Sequence, residues 1–234
     1  ELAAHYQRWY GTAADPDCVV ATTGSSGGFL LAFLAAFDAG DRVALARPGY
    51  PAYRNILSSL GCEVVDLDCG PTIAQLEDEH RRAPLSGLIL ASPANPTGTM
   101  VTPEELAALS AWCEAHDVLL VSDEIYHGVT YDGVRATSAL EFGNRSLIVS
   151  SFSKYWGMTG WRLGSLVLPP DLVPAVDSLA GNPALCAPAP AQHAALQAFT
   201  EESYAECDRA VAGFAEARRL LLEARRRLDW GVDA

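Results

Sequence analysis

The stretch Leu147-Ile148-Val149-Ser150-Ser151-Phe152-Ser153-Lys154-Tyr155-Trp156-Gly157-Met158-Thr159-Gly160-Trp161-Arg162-Leu163-Gly164 decides how the chain is read. It opens on an apolar run of strand length and leaves it through serines, aromatics and glycines. Lys154 stands at or just beyond the carboxyl end of that strand. It is the only lysine among the 16 Lys and Arg of the 234-residue chain. Arginine replaces lysine wherever positive charge alone is needed, but a guanidinium stays protonated and cannot serve as a nucleophilic amine. The position that kept lysine is therefore a candidate nucleophile or base. Among aromatics and glycines its amine is expected to lose solvation, which lowers its pKa. The ordinary alternative is a solvated surface lysine, for which this neighbourhood is a poor composition.

Outward from this stretch, strand-like and helix-like segments alternate. Short apolar runs occur at Val43–Ala46, Val64–Leu67, Leu88–Ala91, Val118–Ser122, Leu147–Ser151 and Ser165–Leu168. Several are apolar on both faces, as strands covered by helices on both sides are. Thr72 with Gln75 and Thr102 with Glu105 fit the capping-box spacing, and Pro103 suits a first helical position. Gly40 is expected to close the helix that ends near Phe37. A first helix is expected around Leu2, His5, Tyr6 and Trp9, and a long one from about Glu201 to Leu228. The alternation predicts an α/β fold, three layers around a mostly parallel sheet, with ligands beyond the carboxyl ends of the strands.

Composition narrows the function. Half of the residues are hydrophobic, 19% are charged and 9% aromatic, which suits a folded core and not a disordered tail. A net charge of −13 argues against nucleic acid as a partner, because phosphate backbones call for Lys and Arg. The longest apolar run, Phe29 to Phe37, is far short of a membrane span. The six cysteines include no Cys-x-x-Cys pair and no zinc-like spacing with histidine, so no metal site is expected. They read as small buried residues of a reducing compartment, and the expected location is cytoplasmic.

Three further motifs each follow an apolar run. Thr22-Thr23-Gly24-Ser25-Ser26-Gly27-Gly28 feeds a helix start, where backbone N–H groups, hydroxyls and the positive end of the helix dipole suit a phosphate. A plain serine cap in a tight turn is the ordinary alternative. The same residues also satisfy Gly-x-Ser-x-Gly, the nucleophile elbow of serine hydrolases, with Asp123 and His193 following in the expected order. Ser92-Pro93-Ala94-Asn95-Pro96-Thr97-Gly98 could be only a turn, but its place makes Asn95 a candidate ligand-facing donor. In Ser122-Asp123-Glu124-Ile125-Tyr126 an acid leaves a buried strand, which is costly unless it pairs with a cation or caps the next helix.

Together and in this order, the Gly/Ser turn, Asn-Pro-Thr-Gly, Asp-Glu-Ile-Tyr and Ser-x-Ser-Lys with Arg162 eight residues on resemble the class I/II aminotransferases, fold-type I enzymes that use pyridoxal 5′-phosphate. The resemblance runs from about Leu2 to Leu228. It implies that Lys154 holds the cofactor aldehyde as a Schiff base and then acts as general base. It implies that Asp123 pairs with the pyridine nitrogen, that Asn95 and Tyr126 donate to the phenolate oxygen, and that Tyr50 of Pro48-Gly49-Tyr50-Pro51-Ala52-Tyr53 stacks on the ring. Ser25, Ser26, Ser151 and Arg162 would bind the phosphate, Arg162 in bidentate fashion. His127 and Glu124 are expected to support and pack rather than touch a ligand, as are Trp156 and Trp161.

The resemblance further implies residues 1–214 as the cofactor-binding large domain, with 215–234 leading toward a small domain. It implies a substrate carboxylate held by an arginine of that small domain, a phosphate-site tyrosine from a partner subunit, and a homodimer acting on an amino acid and a 2-oxo acid. No motif singles out that arginine among Arg209 to Arg227. Other reactions on the same scaffold, a carbon–sulfur β-lyase or a synthase, and a ligand sensor fused to a DNA-binding region remain open at this level.

Overall fold

The computed structural model describes residues 1–68, 70–182 and 185–228. Cys69 and positions 229–234 of the expected terminal segment lie outside the described residues. The elements in chain order are α1 (Leu2–Tyr10), β1 (Val19–Thr22), α2 (Gly24–Ala36), β2 (Arg42–Arg47), α3 (Pro51–Ser59), β3 (Glu63–Asp68), α4 (Ile73–Arg82), β4 (Gly87–Ala91), α5 (Pro103–Ala115), β5 (Leu119–Asp123), β6 (Leu147–Ser151), β7 (Gly164–Val167), α6 (Val173–Ala180), α7 (Ala189–Ala195) and α8 (Glu201–Leu228). Short 3-10 turns join several of them. The seven strands form one sheet in the order β1-β7-β6-β5-β4-β2-β3. Only β7 runs against the others, pairing antiparallel with both β1 and β6.

Successive strand side chains point to opposite faces, and this period divides the core in two. Ala44, Leu88, Leu90, Leu120, Ile148 and Val167 pack with Tyr6 of α1, Leu76 of α4 and Leu106, Leu109 and Trp112 of α5. Val43, Leu45, Ile89, Val121, Leu147, Val149 and Leu166 pack with Phe29 and Phe33 of α2, Tyr53 and Leu57 of α3 and Val176 of α6. Both faces of the sheet are covered, which is the three-layer arrangement that double-faced apolar strands require.

The helix starts are made as the sequence signals require. Thr72 and Thr102 each accept from the backbone N–H three residues on, and Gln75 and Glu105 return the contact. Gly40 is a correction: α2 ends at Phe37 in an extended conformation, and Gly40, at φ +93°, turns the chain into β2 and donates its N–H to Gly61 O at 2.9 Å. Neither Asp123 nor Glu124 caps a helix, because the chain leaves β5 into turns. Helix α8 runs unbroken through position 215.

Parallel register brings several strand ends to one edge. Ala91 pairs with Asp123, Asp123 with Val149, and both Ser151 and Thr22 with Gly164. Because β7 is reversed, its amino end lies at the same edge as the carboxyl ends of β1, β4, β5 and β6. Gly164 has to be glycine there: a Cβ would lie 2.6 Å from Gly24 C, 2.8 Å from Ser25 N and 2.9 Å from Ser150 O, all of them backbone atoms.

Candidate active site

At that edge lies a cavity of about 230 Å³. Eight of the nine residues singled out from the sequence line it: Ser25, Ser26, Tyr50, Asn95, Asp123, Tyr126, Lys154 and Arg162. They come from the ends or following loops of β1, β2, β4, β5 and β6 and from the turn before β7. Five different strands contribute to the eight, so the sheet register assembles them.

Ser25 and Ser26 sit in the first turn of α2, where N–H groups without helical partners face outward. Arg162 stands opposite them. Its backbone is left-handed, at φ 53°, and Nη1 donates to Thr159 O at 2.9 Å. This turn brings the guanidinium against Gly24, where a Cβ would lie 2.5 Å from Nη2. Helix N-terminus, two hydroxyls and a guanidinium make one end of the cavity suited to a dianion.

Asp123 lies deeper and is only 4% exposed. Its Oδ1 accepts from the Ile125 N–H at 3.0 Å, and its Oδ2 accepts from the Tyr53 hydroxyl. Burial pushes its carboxyl up to about 6, while the Tyr53 and Ile125 hydrogen bonds and the Lys154 charge pull the other way. Tyr53 itself is buried and driven well above the usual phenol range, so it remains a donor. Lys154 is half-buried, with Nζ 5.4 Å from the centre of the Tyr126 ring. Tyr50 meets Tyr53 edge-on at 5.5 Å.

Ser151 is the exception. Its hydroxyl accepts from the Ser153 N–H at 2.9 Å and donates to Leu163 O at 3.4 Å, and it is not among the residues lining this cavity. Ser153 lines the wall in its place. Sequence reading gave no role to Tyr53, Phe29, Ser153 or Thr159, which also face the cavity. For Tyr53 a signal existed: it stands three residues after Tyr50, on the same side of the first turn of α3. His193 is exposed on α7 and is not among the cavity's lining residues, so the structure does not bring the Ser26–Asp123–His193 set together. Trp156 packs as expected and donates to Ala198 O at 3.0 Å, whereas Trp161 is 49% exposed. No cluster of three metal-ligating side chains occurs among the described residues.

Glu124, next to Asp123, is fully buried. Ser122 Oγ, Ser138 Oγ and the Ala139 N–H all donate to its Oε1, at 3.2, 3.0 and 2.9 Å. Its Oε2 has no hydrogen-bond partner, and burial pushes the group up to about 8, which favours the protonated form at neutral pH. A second, apolar cavity of about 300 Å³ adjoins the first and shares Tyr50, Tyr53, Ala91 and Asn95 with it.

The sheet order and this donor set define a three-layer α/β domain of the aminotransferase type. The chain belongs to the aminotransferase class I and II family, whose model matches residues 1–232. It is 56% identical to valine–pyruvate aminotransferase of Mycobacterium tuberculosis over 99% of this chain and 61% of that relative. It is 32% identical to (5-formylfuran-3-yl)methyl phosphate transaminase of Methanocaldococcus jannaschii over 100% of this chain and 62% of that relative. A crystal structure of an aminotransferase from Mycobacterium tuberculosis superposes with a TM-score of 0.93 at 56% identity, covering 98% of this chain and 64% of that one. The chain thus spans about three fifths of the length of these relatives. No helix among the described residues is long and apolar enough to cross a membrane.

Proposed function

We propose that the protein carrying this chain is a pyridoxal 5′-phosphate-dependent aminotransferase, passing an amino group from an amino acid to a 2-oxo acid. The observation that carries this reading is the single cavity in which the sole lysine, a buried carboxylate and an arginine beside a serine-bearing helix start converge. That donor set fits the cofactor from its phosphate to its ring nitrogen. When bound, the cofactor supplies a ring that accepts the electron pair left as an amino acid loses its α-proton.

The chain's own residues do the rest. Arg162, Ser25, Ser26 and the N–H groups of α2 hold the phosphate. Asp123, each of whose oxygens already takes one donor, keeps the remaining lone pairs for the ring N–H. Tyr50 would lie against the ring, and Asn95 and Tyr126, which line the same cavity, would donate to its phenolate oxygen. Lys154 Nζ would hold the aldehyde as an imine, with water leaving, and once displaced by the incoming substrate amine would carry the proton taken from the substrate. Ser151 acts one layer behind, fixing the N–H of Ser153.

The relative named valine–pyruvate aminotransferase makes L-valine with pyruvate the first pair to assay, and the adjoining apolar cavity supports an aliphatic side chain. A cytoplasmic homodimer completes the reading, with residues 215–234 leading toward a small domain. The test is to load the protein with cofactor, reduce it with borohydride and map the labelled residue. Label on Lys154 together with alanine formed from valine and pyruvate is expected. Label elsewhere overturns the assignment, and release of ammonia without alanine moves it to a lyase.

A further inference from the structure

The residue after Tyr126 joins the two loops that carry Asn95 and Tyr126. His127 is buried, and its Nε2 lies 2.9 Å from Ser92 O. A carbonyl oxygen only accepts, so Nε2 carries the proton. In the neutral ring Nδ1 is then an acceptor, and it faces the Tyr10 hydroxyl at 2.6 Å. Tyr10 belongs to α1, so the contact fixes the tautomer from outside both loops. Burial pushes His127 down to about 3, which keeps it neutral at working pH. The groups around it agree: burial pushes Glu124, whose Oε2 lies 3.6 Å from Nδ1, up to about 8, the Arg135 guanidinium disfavours a second positive charge, and His5, itself pushed down to about 4, adds to this only in acid.

Ser92 is tied on its other sides too. Its N–H donates to Asp123 O at 3.3 Å, and its hydroxyl accepts from the Val101 N–H at 3.1 Å, closing the loop of residues 92–101 around Asn95. On the other loop, the His127 N–H donates to Glu124 O at 3.0 Å and the Val129 N–H to Tyr126 O at 3.0 Å. We infer that His127 is a positioning residue: a neutral cross-link, held by Tyr10, that sets the spacing between the Asn95 amide and the Tyr126 hydroxyl. This rests on the reading above that both groups face the cofactor's phenolate oxygen. Hydrogen bonds to that oxygen draw off the negative charge that would otherwise retain the proton on Lys154 Nζ. Loosening them raises the pH at which that proton leaves, and the bound cofactor's visible absorption reports it.

The experiment titrates that absorption in the cofactor-loaded full-length protein and measures cofactor affinity by fluorescence. His127→Phe, which removes both ring contacts, is expected to raise the titration midpoint by about one pH unit and weaken affinity about tenfold. His127→Gln, whose amide can still donate to Ser92 O, is expected to stay near wild type. A packing role alone would lower thermal stability and leave the midpoint in place. A folded His127→Phe protein with the wild-type midpoint overturns the inference, as do equal shifts in the Phe and Gln variants. Should His127→Phe not fold, Tyr10→Phe decides: a smaller upward shift supports the cross-link and a wild-type midpoint overturns it. Asn95→Ala and Tyr126→Phe separate the two layers of the argument. If these variants leave the midpoint unchanged, the site reading itself fails. If they shift it while His127→Phe does not, only the role of His127 fails.

Discussion

Lys154→Arg keeps the charge and most of the volume of the side chain but removes the amine that can lose its proton. Covalent attachment of the cofactor and turnover should both vanish, read by borohydride labelling and by alanine formation, while the fold persists. Tyr53→Phe takes one of two donors from Asp123. Cofactor affinity should fall on the order of tenfold, with the carboxyl titrating closer to neutral than its present value of about 6. Glu124 gives a sign for the pH dependence of stability. Its folded value, about 8, lies above the ordinary 4.5, so the folded state keeps a proton that the unfolded chain releases between those values. Stability from this group is complete below about 4.5 and is lost as pH rises through about 8. Glu124→Gln mimics the protonated form, since its amide oxygen can take the three donors. Thermal unfolding from pH 6 to 9 should therefore fall less steeply in the variant, and equal slopes would place the effect elsewhere. None of this was legible in the Asp123-Glu124 dipeptide, because which carboxylate faces a cavity and which faces Ser138 depends on the loop after β5.

The elements show which sequence signals carry. Capping boxes, strand-length apolar runs and the long helix from Glu201 were all legible, because each is decided within a few residues. Thr102→Ala should cost about 1 kcal/mol by chemical denaturation and leave cofactor affinity unchanged, since the lost contacts lie within α5. Gly164→Ala should act otherwise. Its Cβ would meet backbone of α2 and β6 that cannot rotate away, so the α2 start must shift from Arg162. A loss on the order of 1–3 kcal/mol with a marked drop in phosphate-ester affinity is expected, and an unaffected affinity would separate the helix start from the phosphate site. The reversed direction of β7 was not legible, because an apolar run of four residues looks the same read either way. Gly40 misled for a related reason: a left-handed glycine near a helix end can equally serve the turn that follows it.

For the whole molecule, the order of four short motifs carried more than any one of them. Residues far apart in the chain meet only through the sheet register, and eight sequence-derived candidates share one cavity because five strand ends and the reversed β7 share one edge. Ser151 fell outside because its hydroxyl is engaged by Leu163 O and the Ser153 N–H, and the turn after β6, which no local pattern specifies, brings Ser153 to the wall in its place. Binding to the folded state alone should raise apparent stability by about 2.7 kcal/mol at a cofactor concentration a hundredfold above Kd. Denaturation with and without cofactor checks this, and no gain would mean that the site is not formed before unfolding. The placement of β1 has another consequence, in time rather than in space. Among the described strands its one partner is β7, with Val19 against Val167. Because β1 precedes β7 in the chain, during synthesis it leaves the ribosome earlier and must wait, its edges unpaired, until β7 has been made and turned back beside β6. Chain growth thus sets an order within this domain: β2 to β6 can pair early, and the end of the cavity with Ser25 and Ser26 on one side and Arg162 on the other closes only after β7 has been made.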